Sequence, residues 1–489
     1  MDRRIIAATA AGIGAVGALN VLHAALHTTK KKTYPAPAPE RVNVQRYTEA
    51  LQGAIRCKTV SNPDFDKMDW GEFEKLHAVF EEKYPLIHKT LKREQVGPAA
   101  LIYTWEGSDP DLKPIALLGH QDVVPVPEEK VADWTHPPFE AQIADGYLWG
   151  RGAIDMKNHL VGVLESVETL LEDGFQPKRT VLLCFGCNEE VVASDCPTAA
   201  LICKTLADRG VQLESVLDEG GGLIGLNVPG VIDKTLTGIG IAEKGYADFE
   251  ISVDAKGGHS SAPPKHSAVG VLATAIADLE NNQFKSTINP QVKNILDVAT
   301  RGMKFPARLL GCNIKYLLPI LKPILSAIPQ SASLVRTTTA VTMTSGSPQA
   351  NVLPQHATAT VNFRVMPGSH ISDVEDHIRK VVRSRKVGVR LIGGNEPSVI
   401  SPTDSDSFNA LKTIAHSMYE NAMVVPYIVM GGTDARHYQP LTDQMYRLSP
   451  FRMGLDIVML SHGTDERISV DSFGDGIAFF KRYIKTMAG

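Results

Sequence analysis

The sequence predicts an α/β body with a mainly parallel sheet, interrupted by a smaller α+β unit. Three observations predict it. Short β-branched or leucine-rich runs, "PIALLGHQDVV", "RTVLLCFGCNEE" and "LESVLDEGGG", alternate with amphipathic stretches such as "HLVGVLESVETLLEDG". That stretch has apolar positions three and four apart and ends at Gly174. Strands alternating with helices imply a parallel sheet covered on both faces. Around Lys244 the texture changes: "YADFEISVDAKGG" and "ATATVNFRVMPG" alternate apolar and polar residues as half-exposed strands do. After Gly394 the first texture returns in "ALKTIAHSMYENA" and "VPYIVMGGTDARHY", so the second unit reads as an insertion.

Taken in order, the chain divides into residues 1–36, a body 37–244, an inserted unit 245–396 and a return to the body over 397–489. A length of 489 residues suits two packed domains. Residues 5–29 carry no charge apart from two histidines, enough to cross ~30 Å of hydrocarbon as a helix. A membrane anchor, a cleaved signal peptide and a soluble Ala/Gly-rich helix are the three readings of that segment. "YPAPAPERV" then reads as a stiff spacer. Hydrophobic content of 43% and charged content of 21% describe an ordinary globular protein. The formal net charge is -4, and five basic residues (Arg3, Arg4, Lys30, Lys31, Lys32) sit in the first 32, so the body is acidic. That argues against nucleic acid as a partner. Cys184, Cys187, Cys196 and Cys203 fall close together but show no recurring C-x-x-C of a zinc site, and Cys184 and Cys187, on an apolar run, read as core cysteines. The inserted unit also holds the very apolar "ARLLGCNIKYLLPILKPILSAIP", read as domain core or interface, or as a wall for long acyl chains or membrane.

The polar residues at the strand ends carry the chemistry. Open α/β sheets bind ligands beyond the carboxyl ends of their strands. His120 and Asp122 in "GHQDVVP" are two apart and share a strand face, which suits a metal ligand and the carboxylate that orients it. Asp155 follows the glycines of "WGRGAIDMKN" just ahead of a helix, where a plain capping role is the alternative. Glu189 and Glu190 stand side by side after the next strand, Asp218 ends another, and His462 lies in the loop "SHGTDERIS". Adjacent carboxylates raise each other's pKa. A cluster of five carboxylates and two histidines needs cations, and the O/N donors suit zinc, or less specifically manganese or cobalt. Two ions sharing one bridging carboxylate account for the number of ligands.

With these residues in place the chain resembles the aminoacylase, carboxypeptidase S and desuccinylase family of co-catalytic zinc peptidases. "GHQDVVP", "GRGAIDMKN", "NEE", "LDEGG", "EKG", "GGHSSAPP", "NFRVMPG" and "GGTDARHY" occur in the family's order, across everything after the spacer. "GHSSAPP", "RTTTAVT" and "HGTDERISV" bring it nearest to the fungal Gly-X carboxypeptidases and the mammalian N-fatty-acyl-amino-acid synthase/hydrolases. The resemblance implies a di-zinc catalytic domain with an inserted dimerisation or lid domain. It implies that His120, Asp155 and Asp218 hold one zinc, and that Asp155 bridges to a second held by Glu190 and His462. Glu189 would then be the general base that moves a proton from the attacking water to the leaving nitrogen, with Asp122 orienting His120. His259 in "GGHSSAPP" resembles the histidine that stabilises the oxyanion, often across a dimer interface. Arg364 resembles the fork that grips a substrate carboxylate, with Asn351, Gly432 and Thr433 as further polar contacts. One departure is Asn188, where the nearest relatives commonly carry Asp.

The expected activity is hydrolysis of the amide bond of an N-acyl or N-peptidyl amino acid with a free carboxylate. A fatty-acyl-amino-acid hydrolase that also runs the condensation is the alternative within the enzymes; an inactive metal-binding scaffold is the one outside them. The resemblance further implies a homodimer through the inserted domain. Its location would be the secretory pathway, either a vacuole-like or lysosome-like lumen reached on a single-pass anchor, or the exterior.

Overall fold

The computed structural model describes residues 21–28, 34–191, 196–312, 326, 329–383 and 386–489. Most of the 5–29 segment and of the apolar stretch 307–329 therefore lies outside the described residues. Among the described residues no helix is long and apolar enough to cross a membrane.

Twelve strands matter here: β1 (Lys92–Val96), β2 (Ala100–Trp105), β3 (Ile115–His120), β4 (Val181–Gly186), β5 (Ser215–Val228), β6 (Ile232–Glu243), β7 (Gly245–Asp254), β8 (Thr338–Ser345), β9 (His356–Val365), β10 (Val387–Asn395), β11 (Ala422–Val429) and β12 (Met445–Gly454). Eight of them form one sheet in the order β1-β2-β4-β3-β5-β12-β6-β11. Its central strands β4, β3, β5 and β12 run parallel, as do β6 and β11. Antiparallel pairs add the β1-β2 edge and the β5–β6 hairpin.

Both faces of this sheet are covered, which is why its middle strands read as continuous apolar runs rather than alternating ones. On one side the helices Lys157–Glu172 and Val470–Ala488 pack with Val44–Arg56 over Leu117, Leu183 and Leu217. On the other, Thr198–Asp208 covers Ala116, Leu118, Leu182 and Val216. Lys157–Glu172 is buried almost all round and ends where the sequence places it, with Gly174 at φ 72° beyond the last turn.

Residues from Gly245 to Asn395 build a separate antiparallel sheet, β8-β9-β7-β10. The two alternating segments foreseen in the sequence are direct neighbours in it, paired from Gly245↔Val365 to Asp254↔His356. Their buried faces (Ala247, Phe249, Ile251, Val361, Phe363) meet the helices Ala268–Asn281 and Ile371–Val382. The chain crosses between the two sheets at Glu243–Gly245 and returns beside the same place, where Ser398 N donates to the Glu243 carbonyl.

Candidate metal centre and substrate cavity

His120 ends β3 and is 1% exposed. Its Nδ1 lies 2.9 Å from the Asp122 carbonyl, which leaves Nε2 turned toward the carboxylates. That Nε2 lies 3.2 Å from Asp155 Oδ1 and 3.2 Å from Glu219 Oε1. The other Asp155 oxygen, Oδ2, lies 2.8 Å from His462 Nε2, itself 3.2 Å from Glu190 Oε2. Asp155 therefore sits between the two histidines, with Glu219 beyond one and Glu190 beyond the other. His120, Asp155 and Glu190 offer donor atoms within 4.8 Å of one another, as do His120, Glu189 and Glu219. The capping alternative for Asp155 fails, because the helix that follows starts without a side-chain cap.

Asp218 does not join this group, and Glu219 does. The Asp218 carboxylate is turned away, accepting Ala435 N at 2.7 Å and Glu219 N at 2.9 Å. Strand alternation is the reason: Asp218 shares a face with Val216, which packs in the cluster containing Ala435, whereas Glu219 follows Leu217 on the other side. The sequence reading chose the wrong member of the Asp-Glu pair for the cluster.

Buried polar groups hold the donors in place. The Asp122 carboxylate accepts the backbone N–H of Glu189 and of Glu190, each at 3.1 Å, and so fixes the turn that presents both glutamates. Gln121 locks the same strand end from below, donating to the Ala99 and Phe185 carbonyls and meeting His77. Glu466 ties the two loops of the site together: Oε1 accepts Ile154 N and Asp155 N, while Oε2 pairs with buried Arg151. Arg151 in turn donates to the His462 carbonyl. Asn188 accepts Thr198 N and Oγ and donates its amide to the Cys196 carbonyl, the last of which an ionised Asp could not do. The sequence reading did not single out Glu219, Gln121, Arg151 or Glu466.

Burial pushes Glu189 well above its usual pKa, and burial with the neighbouring Asp155 charge lifts Glu219 to about 8. Burial works against a charge on His120, but Glu219, Asp122 and Asp155 outweigh it and raise its pKa well above normal. Hydrogen bonds that His462 donates to Asp155 and Glu190 lift its pKa to about 10. The ion-pair partners of Asp155, Glu190 and Glu219 are histidines only, among the described residues. Among the described residues, one oxygen of Glu190 is buried without a partner. Such an all-O/N donor set fits divalent cations, which would discharge the protons these groups hold.

A cavity of about 170 Å³ opens beside these donors. Glu189, Glu190 and His462 form one wall; Lys244, Arg364, Arg436 and Gly432 stand among the rest. Arg364 lies over the Tyr246 ring at 5.1 Å, and Lys244 donates to the Arg336 carbonyl at 2.8 Å. Burial, with Arg364 and Arg336 nearby, lowers Lys244 to about 8. Thr433 is buried just behind Gly432. His259 and Asn351 are elsewhere: they adjoin on the exposed ribbon formed by Gly258–His259 and Val352–Leu353, and neither lines the cavity. A larger cavity of about 380 Å³ lies against His23, His27 and the helix Pro290–Gly302, and shares no residue with the donors.

The fold and donor set define a metallohydrolase, and comparison with known proteins gives the family. The model of peptidase family M20/M25/M40 matches residues 116–486, and the chain belongs to that family, whose members hydrolyse peptide or related amide bonds. It is 37% identical to probable carboxypeptidase S-like 2 of Dictyostelium discoideum, over 89% of this chain and 84% of that protein. It is 33% identical to the N-fatty-acyl-amino acid synthase/hydrolase PM20D1 of Xenopus tropicalis (90% and 86%) and 31% identical to carboxypeptidase S of Saccharomyces cerevisiae (89% and 83%). Among solved structures, the M20 metallo-carboxypeptidase Sso-CP2 of Sulfolobus solfataricus superposes with a TM-score of 0.63 at 17% identity, covering 90% of this chain and 99% of that one. Human carnosine dipeptidase 1 gives 0.59 at 16%, covering 91% and 97%. These two likenesses speak for the fold.

Proposed function

We propose that the protein is a di-zinc amidohydrolase that removes an amino acid with a free carboxylate from an N-acyl or N-peptidyl substrate. The observation that carries this reading is the row Glu219–His120–Asp155–His462–Glu190, with Asp155 between the two histidines, opening on a cavity that Lys244, Arg364 and Arg436 also line, alongside Glu243 and Glu396. In this reading His120, Asp155 and Glu219 would hold one zinc, and Asp155, Glu190 and His462 the other. Zinc held there would supply a Lewis acid to polarise the scissile carbonyl and lower the pKa of water toward neutrality.

The chain's own groups do the rest. Glu189, beside the donors, takes the proton of the attacking water and returns it to the leaving nitrogen. Asp122 holds Glu189 and Glu190 by their backbone N–H groups, and its carbonyl sets His120. Arg364 and Lys244 meet the substrate carboxylate, and Gly432 gives it a close backbone surface. His259 and Asn351, exposed on the inserted unit, act as oxyanion and substrate contacts when a second copy of the chain brings them over the cavity. The inserted unit is thus a dimerisation domain, spanning 245–396 between catalytic parts 37–244 and 397–489. Residues 1–36 anchor the enzyme as a single-pass protein facing a vacuole-like lumen, the secreted form being the alternative. That placement draws on the apolar run 5–29 and on the likeness to carboxypeptidase S.

Exchanging Glu189 for Gln tests the mechanism. Zinc content should match the wild type, while turnover falls by at least ~100-fold; undiminished turnover would refute the general-base role. The likeness to PM20D1 favours a second reading, a long-chain N-acyl amino acid as substrate. Turnover of a glycyl-leucine-type peptide set against a long-chain N-acyl phenylalanine separates the two.

A further inference from the structure

A second charged cluster lies buried at the edge of the cavity, which Glu243 helps to line, and the hydrolytic reading leaves it without a task. Glu243, at the end of β6, is 1% exposed, and Arg447 on β12 is fully buried. Arg447 Nε donates to Glu243 Oε1 at 2.6 Å and Nη1 to the Met445 carbonyl at 2.8 Å. Well-packed apolar residues often replace such a buried pair without loss of stability, so stability alone is a poor reason to keep it.

The remaining acceptor positions of Glu243 supply a better one. Oε1 also accepts the Thr433 hydroxyl at 2.7 Å, and Oε2 accepts Thr433 N at 2.9 Å. Two residues on, Ala435 N donates to Asp218, which directly precedes Glu219. Between these two anchors the Thr433 methyl lies against Gly220, 3.1 Å from where a Cβ there would stand. The segment 431–436 carries Gly432 and Arg436 to the cavity. It is therefore held by two buried carboxylates, one of which also lines the cavity and the other of which is adjacent to a proposed metal donor.

We propose that Glu243 is a positioning residue for the hydrolysis: its carboxylate, paired with Arg447, fixes segment 431–436 so that Gly432 and Arg436 meet the substrate in a preformed arrangement. This rests on the amidohydrolase reading. Hydrogen bonds to a charged acceptor are about twice as strong as neutral ones. Freeing the segment therefore costs substrate binding before it costs chemistry. Asp218 has the matching role on the metal side, which is what its orientation away from the donors leaves it to do.

Two variants test this. Glu243→Leu combined with Arg447→Met removes the pair without leaving a lone buried charge. Thr433→Val keeps the shape and deletes only the hydroxyl, so it decides the matter if the double variant does not fold. Both should bind zinc as the wild type does. For a glycyl-leucine-type peptide, KM should rise about tenfold in the double variant and several-fold in Thr433→Val, with kcat changing far less. Calorimetry with leucine on metal-free protein should show its affinity falling in step. An unchanged KM, or a loss confined to kcat, overturns the proposal. A wild type that hydrolyses neither peptide nor acyl substrate overturns the amidohydrolase reading instead, and the leucine calorimetry still judges the grip on 431–436.

Discussion

Lys244 is poised to make substrate binding sensitive to pH. Burial, with help from the Arg364 and Arg336 charges, brings its ammonium down to about 8, and it donates to the Arg336 carbonyl. A substrate carboxylate pairs with the charged form only. Affinity should hold below pH 7 and weaken as pH climbs through about 8, so KM rises on the alkaline side with kcat changing less. Lys244→Arg, which stays charged throughout, should flatten that rise. A wild-type KM that is level from pH 7 to 9 would remove Lys244 from carboxylate recognition. At this scale the sequence was informative about which residue types gather and less so about which atoms meet. His120, Asp155, Glu190 and His462 were legible because each stands at a strand end or in a glycine-flanked loop, where a charged side chain has no core to bury. Glu219 was not, since a string of letters shows Asp218 and Glu219 as equivalent until the neighbouring strand and segment decide which faces Ala435. Glu466 and Arg151 were hidden for another reason: their partners lie about three hundred positions away in the chain.

The element that makes the site is β5, which must present Glu219 on one side, bury Asp218 on the other and continue as a hairpin with β6. The ladder with β12 shifts register between Arg447 and Ser449, beside this point. Gly220 takes φ 90°, open to glycine at little cost, and places the chain over Thr433. Gly221 is the tighter constraint. A Cβ there would run into the Arg447 carbonyl oxygen and lie 2.6 Å from the Gly238 carbonyl oxygen, both backbone atoms of paired strands. Neither can move without breaking its ladder. Gly221→Ala should therefore destabilise the fold by about 1–3 kcal/mol and reduce zinc occupancy, read by thermal unfolding and metal analysis. Gly222→Ala, next in line, meets nothing within 4 Å and serves as the control, close to neutral. Equal behaviour of the two would show that β5 tolerates a wider path than its close contacts imply. The run "DEGGG" announces a backbone special in the sequence, but only the packed sheet distinguishes the glycine that is sterically required from the one that is not.

For the molecule as a whole, the donor cluster ties stability to metal and pH together. Without bound metal, Glu189 and Glu219 have folded pKa values above their unfolded ones, Glu219 at about 8, and His120 and His462 are raised as well, His462 to about 10. In each case the folded state binds protons that the unfolded chain has released. Stability from these groups is complete below the unfolded pKa and is lost as pH rises through the folded one. The window runs from about 4.5 for the glutamates, and about 6.5 for the histidines, up to about 8 to 10. Asp155 is shifted the other way, so its contribution changes only at acid pH, below this window. Metal-free protein should accordingly unfold at lower temperature as pH is raised from 5.5 to 8.5. Under the di-zinc proposal, zinc acts in the opposite sense, because it binds the deprotonated donors and its affinity grows as their protons leave. A ligand that binds the folded state alone stabilises it by RT ln(1 + [L]/Kd). The Tm gained on adding zinc to chelator-treated protein should therefore widen steadily between pH 5.5 and 8.5. Measured by differential scanning calorimetry at three pH values, a gain that stays constant would mean that these side chains are not the zinc donors. A gain that widens in the wild type and shrinks sharply in Glu219→Gln, but only slightly in Asp218→Asn, would assign the fifth donor to Glu219.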